Sequence, residues 1–297
     1  MGLEINRQST GINGLDERLG GGLIPGTLTV IVGATGIGKT QLGIQYAHAG
    51  VSDEQRSGII LDLGARGDSQ NHVDYAQRMY DWTLQSAPPQ EPANWQELFD
   101  LDRKLGDYLH VFDYQGRRVT RQDLEWEEWH DWQAELNHKL RRTIAFLYGN
   151  FVQGTRRVVV DGVEPVGRPN DSIQLNLFEY VYHQVVRKEA QWVARDLFRQ
   201  RYRELAETVA KHDYDSQGVG SLLLYTSHEA MLAEMIERPL DEGDALSNAN
   251  TLIYMGKIRD GNRIKRAIYV AKHRGSQCSD EIIPYEINDA GLQIQGN

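Results

Sequence analysis

The chain has 297 residues, 40% hydrophobic and 25% charged, enough apolar material to bury the core of one large α/β domain. Its formal net charge of −10 argues against a general nucleic-acid binder, which needs clustered Lys and Arg, although a local basic patch fits within an acidic chain. A lone cysteine, Cys278, excludes an internal disulfide and a cysteine-rich zinc site and suits a reducing cytosol.

No apolar run approaches the ~18 residues of a membrane span. The first residues, Met1 to Arg7, lack a signal-peptide core, and Asn6 stands where a myristoylation motif needs Ser or Thr. A cytoplasmic protein with no membrane association is expected. Along the chain, residues 10–26 hold a short amphipathic segment and a Gly-Pro turn. The run 27–32 predicts a buried strand, 41–47 a helix, 57–63 a second strand and 70–82 a helix. After a break at Pro88, Pro89 and Pro92, residues 108–112 predict a third strand. Trp129, Trp132, Leu136, Leu140, Ile144, Leu147 and Phe151 recur at helical spacing and predict a long helix over 121–151. A strand over 157–161 follows. Phe178, Tyr182, Val185, Val193, Leu197 and Leu205 then predict a second long helix over roughly 172–211. Strands are expected at 221–226, 251–255, 267–272, 282–287 and 292–294. The alternation predicts a mostly parallel sheet covered on both faces, with hairpins added at one edge, in a single domain over 1–297.

The stretch Gly33, Ala34, Thr35, Gly36, Ile37, Gly38, Lys39, Thr40 fits G-x-x-x-x-G-K-[ST] between a predicted strand and a predicted helix that opens at Gln41. That arrangement is a phosphate cradle. Backbone N–H groups and the helix N-terminus face the anion, and the glycines let the backbone approach it. Lys39 supplies a point charge to the phosphates, and the Thr40 hydroxyl ligates Mg²⁺. The site needs an acid to orient the metal, at the end of a neighbouring strand. Asp161 closes a Val-Val-Val run and is preferred; Asp62, closing Ile59-Ile60-Leu61, is the competitor. For either, a simple helix-capping role is the plain alternative.

With these residues in view, the chain resembles the KaiC-like branch of the RecA superfamily over most of its length. The resemblance rests on Thr10-Gly11-Ile12-x-Gly14-Leu15-Asp16, Gly21-Gly22-Leu23-x-Pro25-Gly26, the phosphate loop and the Asp161 strand. It rests also on Leu224-Tyr225-Thr226-Ser227, Lys272-His273-Arg274-Gly275-Ser276 and Pro284-Tyr285-Glu286-Ile287-Asn288-Asp289-x-Gly291. It implies a RecA-type sheet, ATP with Mg²⁺, and a homo-oligomer, often a hexameric ring, with ATP between subunits. It places Thr226 and Ser227 where a strand-end polar group senses the γ-phosphate. It gives Lys272 and Arg274 the role of cations reaching the neighbouring subunit's γ-phosphate, against the plain alternative of two solvated charges.

One departure bears on activity. The family's water-polarising glutamates follow the second strand, and here Gly64 and Ala65 hold those positions. Asp62 and Asp68 are the only carboxylates nearby, so ATP binding with slow or absent hydrolysis is expected. The three tryptophans of the acidic segment 124–132 read as packing residues. The mixed segment with Arg187, Lys188, Arg195, Arg199, Arg201 and Arg203 reads as a solvated face, with a DNA- or partner-contacting surface as the alternative. Both long helices exceed what a compact core requires and suggest an added lobe. His228 is the one histidine expected near the phosphates. Three functions follow: an oligomeric ATPase or ATP-dependent switch with an unidentified protein partner, a DNA-binding recombination-type ATPase disfavoured by charge, and a non-hydrolysing nucleotide binder.

Overall fold

The computed structural model describes residues 7–64, 71–90, 94–112, 126–164, 172–238 and 248–294, with the side chains of 126–133 excepted. Its centre is one nine-stranded sheet in the order β3-β2-β4-β5-β1-β6-β7-β8-β9. The strands are β1 (Leu28–Gly33), β2 (Ile59–Asp62), β3 (Tyr108–His110), β4 (Arg157–Val163), β5 (Gly220–Thr226), β6 (Thr251–Asp260), β7 (Arg263–His273), β8 (Ile283–Asn288) and β9 (Gly291–Ile294). From β3 to β6 every pairing is parallel, and β6 through β9 pair antiparallel, as the closing run of short-turned strands predicts. This is the mostly parallel RecA-type α/β class with an antiparallel edge.

Burial explains the continuous apolar runs. In β4, Val158 and Val160 face one core while Val159 faces the other; in β1, Val30 and Val32 oppose Ile31 in the same way. A strand covered on both faces has no polar side, so period-2 alternation disappears from its sequence. The helices are α1 (Leu15–Arg18), α2 (Lys39–Asp53), α3 (His72–Tyr80), α4 (Trp126–Val152), α5 (Ile173–Val181), α6 (Ala190–Phe198), α7 (Tyr202–Lys211) and α8 (Leu232–Glu237). Residues of α1, α2 and α3 build one core, and those of α4 to α7 build the other.

Three expectations change. The predicted helix over 172–211 is three helices. A π-turn at Tyr182–Val186 follows α5, Glu189 is extended (ψ 143), and Arg199 adopts φ 49 before α7. No Gly or Pro marks these breaks; the polar run Arg187-Lys188-Glu189 carries the first of them. The added lobe is not seen among the described residues. Ile144, Leu147, Tyr148 and Phe151 of α4 pack into the sheet's core with Phe178, Val193 and Leu197. The strand predicted over 157–161 does not end at Asp161 but runs to Val163, bulging at Gly162, where the pairing to β5 shifts between Val160 and Val163. The start of the predicted helix at 121–125 and the side chains of Trp126, Trp129 and Trp132 lie outside the described residues.

Arg157 anchors the far end of α2. Its side chain is fully buried at the start of β4, donating to Glu54 (2.7 and 3.0 Å), to Asp53 at 2.5 Å, and to the Ser9 and Tyr46 carbonyls (2.6 and 2.9 Å). A single guanidinium thus ties both acids that end α2 to the sheet.

Candidate nucleotide site

β1 ends at Gly33, and the chain turns through Ala34–Gly38 into α2, whose first residue is Lys39. Gly38 has φ 112, closed to most side chains, and a Cβ there would stand 2.6 Å from Ile287 Cδ1. The loop is braced from the opposite end of the sequence. Tyr285 Oη donates to the Ile37 carbonyl at 2.6 Å, and Gln45 of α2 exchanges two hydrogen bonds with Leu292 of β9 (3.1 and 2.7 Å). Thr35 and Gly36 remain exposed. The N-terminus of a fifteen-residue helix therefore opens to solvent through a glycine loop, the geometry that holds a phosphate.

Lys39 is buried, and its ammonium donates to the Gly33 and Ala34 carbonyls (2.7 and 3.0 Å). Burial lowers its pKa to about 8, against partial support from the Asp161 charge. Thr40 donates its hydroxyl to Asp161 Oδ2 at 2.8 Å. Sequence reasoning left Asp161 and Asp62 in competition; the geometry separates them. Asp161 touches the phosphate-loop helix. Asp62, paired with Asp161 in the β2–β4 register, accepts from Tyr108 Oη at 2.6 Å and from the Gly64 N–H at 2.7 Å instead.

Between the two acids lies His72, the first residue of α3 and 2% exposed. Its Nε2 is 3.1 Å from Asp161 Oδ2, and its Nδ1 is 3.7 Å from Asp62 Oδ2. Burial disfavours the imidazolium, but the bond to Asp161 and the charges of Asp161 and Asp62 outweigh it and raise the His72 pKa. Burial likewise opposes ionisation of Asp161. The bonds from His72, Thr40 and the Gly162 N–H prevail and hold its carboxyl below the usual carboxylate range. Sequence reasoning missed His72 and Tyr108. A histidine opening the helix after the second strand was the only signal, and it gains meaning only when β2 and β4 are seen side by side.

Thr226 closes β5 opposite Gly33, and the Ser227 N–H donates to the Gly33 carbonyl at 3.0 Å, so both stand beside the loop. The Ser227 hydroxyl is engaged by Glu229, a bond that leads the causes lowering that carboxyl's pKa. His228 is exposed on the bend between them. Gln41 is buried in the first turn of α2.

Lys272 and Arg274 lie elsewhere. β7 runs antiparallel, so Lys272 pairs with Leu252, and the Arg274 N–H donates to the Asn250 carbonyl at 2.9 Å. Both sit at the edge where β1 begins, three to five strand residues or roughly 10–17 Å behind the phosphate loop. His273 between them is buried against Thr251 and the Leu19 carbonyl (2.8 and 3.0 Å), leaving Lys272 half-buried and Arg274 exposed. Ala65 and Asp68 lie outside the described residues. Among those described, no group of three His, Cys, Asp or Glu is arranged to hold a metal, and no helix is long and apolar enough to cross a membrane.

A glycine loop opening a helix at the end of a parallel strand, with lysine, threonine and a neighbouring strand-end aspartate in place, defines a P-loop nucleotide-binding protein. Comparisons narrow the class. Residues 8–99 match the family model described as "ATPase: KaiC". The circadian clock oscillator protein KaiC of Parasynechococcus marenigrum is 20% identical over 98% of this chain and 45% of its own length. The DNA repair protein RadA of Mycobacterium tuberculosis is 42% identical, over 22% of this chain and 14% of its own length. The chain spans less than half the length of these curated relatives. A KaiC-like protein from the archaeon Pyrococcus horikoshii shares the fold, with a TM-score of 0.53 at 16% identity over 98% of this chain and 100% of that one. Residues 8–99 are thus similar to the KaiC ATPases, and the chain as a whole has the fold of a KaiC-like protein.

Proposed function

We propose that the protein binds ATP with Mg²⁺ and works as an oligomeric ATPase or ATP-dependent switch with weak hydrolysis. The observation that carries this reading is the 2.8 Å bond from Thr40 to Asp161. It joins the phosphate-loop helix to the acid of β4, and a hydroxyl and a carboxylate side by side fit a Mg²⁺ that otherwise keeps waters and phosphate oxygens. The bound metal would neutralise phosphate charge. Lys39 would leave the Gly33 and Ala34 carbonyls for the phosphates, and Thr226 and Ser227 would stand beside the terminal one. Lys272 and Arg274, too far back to serve their own loop, suit a nucleotide held by a neighbouring copy, which supports a homo-oligomer with shared sites.

Weak hydrolysis is supported by Gly64 and Ala65 at the positions of the water-polarising acids, and by Asp62 being occupied with Tyr108 and Gly64. The test follows phosphate release while the protein is sized with and without ATP·Mg²⁺. Nucleotide-dependent assembly with slow turnover is expected. Turnover at the rate of ordinary ATPases of this family would refute the hydrolysis reading, with Asp68→Asn then testing a substitute base. A nucleotide-independent monomer would refute the shared site.

A further inference from the structure

β6 and β7 outrun the sheet. β1 ends opposite Met255, and β8 begins pairing with β7 only at Arg266, so residues 258–265 pair with each other alone. They form a two-stranded arm that projects from the sheet edge bearing the phosphate loop, turning at Gly261, where nothing lies within 4 Å of an added Cβ. The Lys257 N–H holds its root to the Ala230 carbonyl at 2.8 Å.

The arm's composition opposes that of the chain. Residues 257–266 carry Lys257, Arg259, Arg263, Lys265 and Arg266 against the single acid Asp260, a net +4 in a protein of −10. The pleat sorts them. Asp260 faces Arg263 across the ladder and pairs with Lys265 at 2.7 Å. Lys257 faces Arg266 and Arg259 faces Ile264, so Lys257, Arg259 and Arg266 share the other face with Ile264, which is 55% exposed. These three cations are exposed and have no carboxylate partner among the described residues. Lys257 and Arg266, with Ile264 and Lys265, border a concavity of about 520 Å³ completed by Pro284, Tyr285, Glu286 and Ile287.

We infer that this arm is a sequence-independent contact for the phosphodiester backbone of a DNA duplex. A two-stranded ribbon is a shape that the major groove of B-form DNA admits. Lys257 and Arg259 stand about 7 Å apart along their strand, with Arg266 opposite Lys257, so three phosphates can be met at once. Ile264 offers an apolar contact to a sugar. No aromatic side chain on the arm provides a stacking platform, which removes single-strand and base-specific binding from its repertoire.

The test is duplex binding by the full chain, read by anisotropy of a labelled DNA duplex across a salt series. Three phosphate contacts give a slope of about −2.7 in log K against log salt, a loss of roughly 40-fold between about 50 and 200 mM, from an affinity near 10⁻⁴–10⁻⁶ M. The triple variant Lys257→Ala, Arg259→Ala, Arg266→Ala should lose binding and slope while keeping its nucleotide affinity. Arg263→Ala, on the opposite face, should keep most of both. Lys39→Ala should keep duplex binding while losing nucleotide, so failure of the arm and failure of the nucleotide site are told apart. Absence of binding at low salt, or an unchanged slope in the triple variant, would overturn the inference. So would a triple variant whose only change is its oligomeric state, which would make the arm a protein interface.

Discussion

Replacing Asp161 with Asn changes one atom and should unsettle both stability and metal use. Oδ2 accepts from Thr40 and from His72, while Oδ1 accepts from the Gly162 N–H. An amide oriented to keep the Gly162 bond turns its NH₂ on two donors. Two hydrogen bonds to a charged group at ~1.5–3 kcal/mol each are lost, offset by the relief of no longer burying a carboxylate, leaving a net cost of about 2–4 kcal/mol. For 297 residues the unfolding entropy is about 0.6 kcal/mol/K, so a 3 kcal/mol loss lowers Tm by roughly 5 °C. The effect depends on pH. Asp161, with its pKa lowered, contributes stability above its ordinary value of 3.8 and loses it as pH falls through the folded value. His72, with its pKa raised, contributes fully below its ordinary 6.5 and loses this as pH rises through the folded value. The difference in Tm between wild type and variant is therefore largest between those two values and shrinks on either side. Calorimetry across pH reads it, and Mg²⁺ titration of nucleotide affinity should lose its Mg²⁺ dependence. A variant that melts above the wild type, or a Tm difference flat across pH, would refute the reasoning.

Lys39→Ala should abolish measurable ATP binding; in the wild type, with a lysine pKa of about 8, affinity should fall by up to tenfold per pH unit above that value, as calorimetric titration at pH 7 to 9.5 would show. Gly38→Ala places a methyl 2.6 Å from Ile287 Cδ1 at φ 112, so a cost of about 1–3 kcal/mol and weaker nucleotide binding are expected, measured by denaturant midpoint and titration. Arg157→Met leaves Asp53 and Glu54 unpaired at 31% and 19% side-chain exposure and should destabilise by about 2–4 kcal/mol in urea, less than a fully buried pair because water reaches both acids.

Much of this architecture can be read from the sequence because its signals are local. The phosphate loop is a contiguous motif, and Val158-Val159-Val160 can be continuous only if both faces of β4 are covered. What the sequence hides is set by neighbours. The arm of β6 and β7 carries no apolar run because it projects past the core, so the predicted strands stop at Met255 and begin at Ala267, while the ladder extends to Asp260 and from Arg263. The break after α5 falls where Arg187 leaves the helix to bond the Ser216 carbonyl and Gln217, a tertiary contact without a local signature. Lys272 and Arg274, read by motif as reaching a neighbouring subunit's nucleotide, are carried by the reversal of β7 to the edge opposite their own loop.

The segment after β2 bears on the proposal that this site holds a nucleotide more readily than it cleaves one. Gly162, at φ 87, brings β4 so close that a Cβ on it would lie 2.2 Å from the Gly64 nitrogen. That same nitrogen donates to Asp62 Oδ1, and the Gly64 carbonyl is bonded by His110 at 2.9 Å. The backbone at the first position of the missing acids is thus committed to fixing Asp62. Asp62 is held inward by Tyr108 and faces His72. It shares with Asp161 a single buried histidine and has no side chain leading to solvent. A base must reach the water it activates. Here the carboxylates of the two neighbouring strands turn to the same histidine: Thr40 and His72 fix Asp161 at 2.8 and 3.1 Å, and Asp62 faces His72 Nδ1 at 3.7 Å. The arrangement is that of a preorganised phosphate subsite in which the carboxylates ending both neighbouring strands are already engaged.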